Sequence, residues 1–154
     1  MLTHLRNATI EDKARILALM EGVIHDTVDA SHQLETIENV ASNLGLWERA
    51  PERCVHLVAE FDREVVGVVL VKDFWNLCSL FVATEHHRKG IGRALLLAAI
   101  DRCRGSSPKE AIHLNSSAFA VQFYLSLGFE HRQSSQQLPP GFMPLRYALA
   151  ASEA

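Results

Sequence analysis

One stretch of the 154-residue chain leaves little freedom in how it folds: Leu77 to Cys103, an apolar run, a basic turn with two glycines, and a helical repeat. Leu77 to Val82 is apolar and partly aromatic with no breaker, which predicts a buried strand. Gly90 and Gly92 permit a sharp turn and let backbone approach a ligand with no Cβ in the way. Beyond them Leu95, Leu96, Ala99, Ile100 and Cys103 recur at helical spacing, and Gly105 is placed to end the helix. A turn of this kind aims several backbone N–H groups, and the positive end of a helix, at one spot that favours phosphate oxygens. Arg88, Lys89 and Arg93 add mobile positive charge around it. The physics predicts an anion site for a phosphorylated ligand; a plain strand-to-helix corner is the bland alternative.

The spacing excludes two common phosphate folds. No glycine pair has the P-loop interval followed by Lys and Ser or Thr. A dinucleotide fingerprint needs a third small residue where Leu95 stands. The stretch His87-Arg88-Lys89-Gly90-Ile91-Gly92, followed by Arg93-Ala94-Leu95-Leu96, instead resembles motif A of the GCN5-related N-acetyltransferases (the GNAT superfamily), Arg/Gln-x-x-Gly-x-Gly/Ala after a strand. His87 stands where that family usually has Arg or Gln, and Thr84 where a proline is common. The resemblance implies that residues 87–93 hold the coenzyme A pyrophosphate, largely through backbone N–H groups.

The remainder of the chain reads as an ordinary globular mixture: 48% hydrophobic, 21% charged, net charge −3. That length predicts one domain with a sizeable core. The charge provides no global field for nucleic acid or anionic membrane. No apolar run is long enough to span a bilayer, and the run around Val65 to Val71 is strand-sized and interrupted by Gly67. Met1 to Arg6 has no apolar segment behind a basic one, and Cys54, Cys78 and Cys103 read as reduced core cysteines, so a cytoplasmic protein is expected.

In chain order, Leu2 to Arg6 reads as a first strand, and Thr9-Ile10-Glu11-Asp12 as a helix start capped by Thr9, with Ile16, Leu17, Met20 and Ile24 as its apolar stripe. Asp29 to Ser31 break the pattern; a second helix is predicted over Leu34 to Leu46, ending near Gly45, with Trp47 to Arg53 as loop. Cys54 to Phe61 and Val65 to Lys72 form a hairpin turned at Asp62-Arg63-Glu64. After the glycine-turn helix come a strand at Ala111 to Asn115 and a short helix capped by Ser117, carrying Val121, Tyr124 and Leu127 and stopped by Gly128. Two tail strands follow, Phe129 to Ser134 and Phe142 to Leu149, across Leu138-Pro139-Pro140-Gly141. This is a mixed α/β (α+β) fold with a mostly antiparallel sheet. The element order is also that of the GNAT fold, whose central sheet is splayed.

The likeness extends past the glycine turn. Ser116-Ser117-Ala118-Phe119-Ala120-Val121-Gln122-Phe123-Tyr124-Leu125-Ser126-Leu127-Gly128-Phe129 resembles the family's Asn/Ser-x-x-Ala-x-x-Phe-Tyr-x-x-x-Gly-Phe, with Ala120, Phe123, Tyr124, Gly128 and Phe129 in register. The resemblance implies acetyl-CoA as acyl donor and a primary amine as acceptor, with Tyr124 protonating the leaving thiolate. It also implies that Leu80, Phe81 and Val82 on the splayed strand meet the pantetheine, that a strand N–H near Leu80 or Phe81 stabilises the oxyanion, and that Ser117 touches the ligand. A thiol has a pKa of about 8.5, so a neighbouring phenol is a useful acid. Without the motif Tyr124 reads as a core aromatic with its hydroxyl bonded to backbone.

The acceptor side stays open. An alkyl amine, with a pKa of about 10.4, must lose a proton before attack, and Glu60, His56, Asp73, Glu35 and Glu38 are all conceivable bases or anchors. His86 and His87 are adjacent and cannot form a helical metal pair, and no Cys/His spacing suggests zinc, so no metal is expected. Transfer of a longer acyl group and a non-catalytic acyl-CoA sensor are the alternatives. The tail hairpin at a sheet edge, and the habit of similar proteins, imply a homodimer.

Overall fold

The computed structural model describes residues 3–134, 138 and 141–149. In order, its elements are β1 (His4–Asn7), a 3₁₀ turn (Ile10–Asp12), α1 (Lys13–Thr27), α2 (Ala30–Arg49), β2 (Cys54–Phe61), β3 (Glu64–Lys72), β4 (Asn76–Val82), α3 (Ile91–Cys103), β5 (Ala111–Ser117), α4 (Val121–Ser126), β6 (Glu130–His131) and β7 (Phe142–Ala148). The strands form a seven-stranded sheet in the order β1-β2-β3-β4-β5-β7-β6. Every neighbouring pair is antiparallel except β4 and β5, which are parallel and meet only at Asn76 and His113. The sheet therefore splays open beyond that point.

Two helical layers explain the apolar density of β3. Val68 and Leu70 face Ile16, Met20, Ile24, Val40, Leu44 and Trp47 from α1 and α2. Val69 and Val71 alternate to the other face, against Leu95, Leu96, Ala99 and Ile100 of α3. A strand covered on both faces loses the polar half of its alternation, which is why Val65 to Lys72 reads as nearly continuous hydrophobe. Burying each such side chain contributes about 1.5–3 kcal/mol. Gly67, an interruption in the sequence pattern, is where α3 comes closest: a Cβ there would sit 2.9 Å from Cδ1 of Leu95 and 3.1 Å from Cγ2 of Ile91. Asp62 and Arg63 adopt left-handed φ values of 53° and 67°, the two-residue hairpin turn whose twist matches its strands.

Several boundaries differ from those the sequence predicts. The second helix starts at Ala30, where Asp29 accepts a 3.1 Å bond from the Ser31 N–H, and continues through Gly45 to Arg49. Its last turn is held by the burial of Trp47, which offsets the weak helix propensity of Gly45; the expected loop shrinks to a 3₁₀ turn at Pro51–Arg53. Ser117 is not a helix cap. It pairs with Phe142 as the last residue of β5, and α4 begins at Val121 with no side-chain cap. Of the tail strands, β6 is only two residues long, and β7 inserts between β5 and β6. Leu2, Pro139 and Pro140 lie outside the described residues.

Candidate active site

β4 delivers the chain into the glycine turn, where Arg88 and Gly90 take left-handed φ values of 66° and 80°. Left-handed residues alternating with ordinary ones curl the backbone so that successive N–H groups converge on a concavity suited to anions. Gly90 is also the N-cap of α3 and supplies no side-chain cap, while Ala94 is bonded back to the Gly90 carbonyl at 3.0 Å. The N–H groups of Ile91, Gly92 and Arg93 thus lack intrahelical acceptors. Around them Arg88, Lys89 and Arg93 are exposed, and among the described residues none has a carboxylate partner. A Cβ at Gly90 would meet nothing within 4 Å, so the concavity is open. His87 points elsewhere: its Nε2 donates 2.8 Å to the carbonyl oxygen of Val82 and ties the turn to the strand end.

Among the described residues, the β4 edge running into this turn is unpaired beyond Asn76. The Ala83 N–H bonds to the Val66 carbonyl at 2.8 Å, so Ala83 and, two residues back, Phe81 aim their backbone groups at β3. Leu80 and Val82 have the opposite parity and aim theirs at the splay. The extra residue on β4 is Cys78, since Ser79 faces Leu70 while Leu77 faces Val71. Of the two residues expected to offer an oxyanion N–H, Leu80 faces the gap and Phe81 does not. Their side chains separate too: Leu80 and Val82 pack on the α3 face, Phe81 among α1 and α2.

Across the splay lies α4. The Tyr124 ring is wedged edge-on between Phe123 and Phe129, at centroid separations of 5.2 and 5.5 Å. Its hydroxyl has no hydrogen-bond partner among the described residues, in contrast to the backbone bond a purely structural tyrosine would make. Burial pushes its pKa up to about 12, so the phenol keeps its proton at neutral pH. The turn and α4 touch: a Cβ on Gly92 would lie 3.6 Å from Cγ2 of Val82 and 3.8 Å from Cζ of Phe123. Strand end, glycine turn and tyrosine helix form one continuous wall. Ser117, exposed at the end of β5, precedes that helix.

The proposed bases scatter. His56 and Asp73 sit at the sheet end opposite the turn, where β2 starts and β3 has ended; Asp73 is engaged bidentately by Arg53 at 2.7 and 2.9 Å. Glu60 points toward the turn end of β2 but is held by Arg6 at 3.1 Å, a bond that lowers its pKa. Glu35 and Glu38 lie exposed on the first half of α2. Burial drives the Cys78 and Cys103 thiols up to about 11 and about 12, so neither is a nucleophile at neutral pH. Among the described residues no group of three or more His, Cys, Asp or Glu could hold a metal ion. A notch of about 210 Å³ between α1 and the turn, lined by Gly22, Asp26, Ala83, Thr84 and Glu85, has no counterpart in the sequence pattern.

A sequence model of the acetyltransferase (GNAT) domain matches residues 23–148. Among solved structures, the PaiA N-acetyltransferase of Thermoplasma acidophilum, in complex with coenzyme A, superposes with a TM-score of 0.78 at 18% identity, covering 96% of this chain and 99% of that one. YncA of Salmonella typhimurium, solved with its cofactor acetyl-CoA, gives 0.76 at 20% identity over 100% and 98% of the two chains. The ribosomal-protein-alanine N-acetyltransferase of Brucella melitensis gives 0.70 at 23% identity over 95% and 99%. At these identities the likeness to each structure is one of fold.

Proposed function

The chain belongs to the GNAT acetyltransferase family, and we propose that it is a single-domain, acetyl-CoA-dependent N-acetyltransferase acting on a primary amine by direct attack in a ternary complex. The observation that carries the reading is the open β4 edge at Leu80 and Val82, which runs straight into the Arg88–Gly90 concavity. In this reading the first-turn N–H groups of α3, with Arg88, Lys89 and Arg93 outside them, hold the pyrophosphate. Leu80 and Val82 pair with the pantetheine amides as a missing strand would, with Phe81 behind them and Ser117 opposite. His87 acts by fixing the turn rather than by touching phosphate.

The chemistry follows from those placements. The amine lone pair attacks the thioester carbon and the carbonyl oxygen becomes an oxyanion, which the Leu80 N–H stabilises. The carbon–sulfur bond then breaks, and the Tyr124 hydroxyl gives its proton to the departing thiolate. The phenolate recovers a proton from the ammonium nitrogen through solvent. Inert thiols at Cys78 and Cys103 favour this direct route over an acyl-cysteine intermediate.

Thiol release from acetyl-CoA, measured over a panel of small-molecule and peptide amines, tests the proposal. Turnover with at least one amine, faster for acetyl-CoA than for longer acyl donors, supports it. Binding of acetyl-CoA without turnover on any amine would make the chain a sensor instead. A homodimer through the tail belongs to the same reading, because among the described residues β6 is the last strand of the sheet and Phe142 and Met143 of its neighbour β7 are exposed. Light scattering that gives a monomer mass at high protein concentration overturns that part.

A further inference from the structure

Beyond β4 one face of the sheet has no helix packed on it. The apolar cluster beneath α1 and α2 draws on β2, β3 and β4, and among the described residues it takes nothing from β5, β6 or β7. Ile112, Leu114 and Leu145 turn to the opposite face, into the core with α3. The alternate residues of these strands therefore share the open face: His113 opposes Arg146 across β5 and β7, and Arg132 donates 2.8 Å to Oδ1 of Asn115. Asn115 is exposed there, and His113, Arg132 and Arg146 are half-buried.

The face is cationic. Burial, and after it Arg132, Lys109 and Arg146, lower the pKa of His113, so these groups converge on it. Lys109 reaches over the Trp75 ring at 4.3 Å, and Trp75 meets His113 edge-on at 5.5 Å. Among the described residues none of Lys109, Arg132 and Arg146 has a carboxylate partner; Glu130 opposes Arg146 in register without forming an ion pair. The Arg132 Nε donates 3.1 Å to the Leu145 carbonyl and an Nη2 N–H donates to Asn115, which fixes the guanidinium. Its Nη1 amino group and the second Nη2 N–H stay without an acceptor. A positive fork held in one geometry suits a carboxylate, which takes two parallel N–H bonds.

The cluster also flanks the reacting centre. β4 and β5 last meet at Asn76 and His113, so Asn115 lies two residues into the splay on its β5 bank; Leu80, discounting the bulged Cys78, lies three residues in on the other. Along the strands the two levels differ by about 3 Å, the rise of one residue. We propose that the acceptor is a free amino acid, its carboxylate held by Arg132 and its amine presented to the thioester carbon beside Leu80. This names the substrate class within the acetyltransferase reading and rests on it. Arg146 and Lys109 add to the field that draws the carboxylate in. An α-amino acid separates its amine from its carboxylate by a single carbon, a span that matches so short an offset. A polyamine or a lysine-rich segment meets repulsion at the same place.

The test measures thiol release from acetyl-CoA for each standard L-amino acid against its own carboxamide. At least one amino acid should exceed its amide about ten- to a hundredfold in kcat/KM, as hydrogen bonds to a charged group allow. Arg132→Gln should raise the KM for that amino acid by a similar factor and erase most of its lead over the amide. Arg132→Lys should restore part of that lead, and Arg146→Gln should reduce it less. A merely structural Arg132 would lower acid and amide together. Equal rates for acids and amides, turnover confined to polyamines or internal peptide amines, or an acid-to-amide ratio unmoved by Arg132→Gln would each overturn the proposal and leave an acetyltransferase in place. Binding is read separately by nitrogen-edited NMR of the coenzyme A complex, titrated with the same pairs. Shifts centred on His113, Asn115 and Arg132 with amino acids and not with amides are expected, and their absence overturns the proposal whether or not any amine is turned over. Binding of acetyl-CoA with no turnover of any amine overturns the acetyltransferase reading as well.

Discussion

The imidazole of His87 donates a 2.8 Å hydrogen bond to the carbonyl oxygen of Val82, closing off the four residues between the end of β4 and the glycine turn. Because a carbonyl only accepts, the bond assigns the proton to Nε2. A residue that departs from the family pattern thus has a structural task, fixing the entry angle of the turn. His87→Ala should weaken coenzyme A binding about three- to tenfold with the melting temperature nearly unchanged, whereas His87→Gln, which keeps a donor, should recover most of the affinity. Calorimetric titration of the two variants distinguishes them; equal affinity in His87→Ala and the parent would remove that task.

Tyr124→Phe keeps the ring between Phe123 and Phe129 and removes only the unpartnered hydroxyl. Positioned acids contribute about 10²- to 10⁴-fold, so turnover should fall by that factor while acetyl-CoA binds nearly as before. A core tyrosine would give unchanged turnover instead. With the parent hydroxyl held near pKa 12 by burial, no loss of rate from its ionisation is expected as pH rises to about 10.

Gly67→Ala places a methyl 2.9 Å from Leu95 Cδ1 and 3.1 Å from Ile91 Cγ2, both in the buried seam under α3. Overpacking of this kind costs about 1–3 kcal/mol. Chemical denaturation should record that loss. Coenzyme affinity should fall with it, since Ile91 opens the helix that follows the turn.

Burial holds the His56 pKa down to about 4 against an ordinary 6.5. The unfolded chain therefore binds a proton that the folded chain refuses between those values. The stability is fully present above pH 6.5 and is lost as pH falls toward 4, by on the order of 3 kcal/mol. Asp12, held well below the usual carboxylate range by Arg6, contributes in the same direction below pH 4. His56→Leu should flatten the denaturation profile between pH 6.5 and 4; an unchanged slope would show that another group carries it.

The order of elements and the glycine turn were legible because they rest on local signals: periodicity, a two-glycine turn and a stop at Gly105. The register Ala120-Phe123-Tyr124-Gly128-Phe129 located α4, yet the Ser117 cap failed, since pairing with Phe142 carries β5 two residues past Asn115. Strand parity relative to a partner is a tertiary property. No pattern in residues 77–82 could reveal that Leu80 faces the splay and Phe81 faces β3. The left-handed Arg88 was equally hidden, because arginine does not advertise a positive φ as glycine does. The length of α2 was hidden too, since it ran on to Arg49 because Trp47 is buried.

Calorimetric titration of acetyl-CoA into the parent protein and Gly90→Val tests the central claim most directly. Gly90 sits at φ 80° with open space where its Cβ would be, so valine there both strains the turn and fills the concavity. The account predicts one site per chain in the parent, stabilisation of about 2.7 kcal/mol at a hundredfold excess over the dissociation constant, and loss of that binding in the variant. No heat of binding from the parent, or binding undiminished in Gly90→Val, would contradict it.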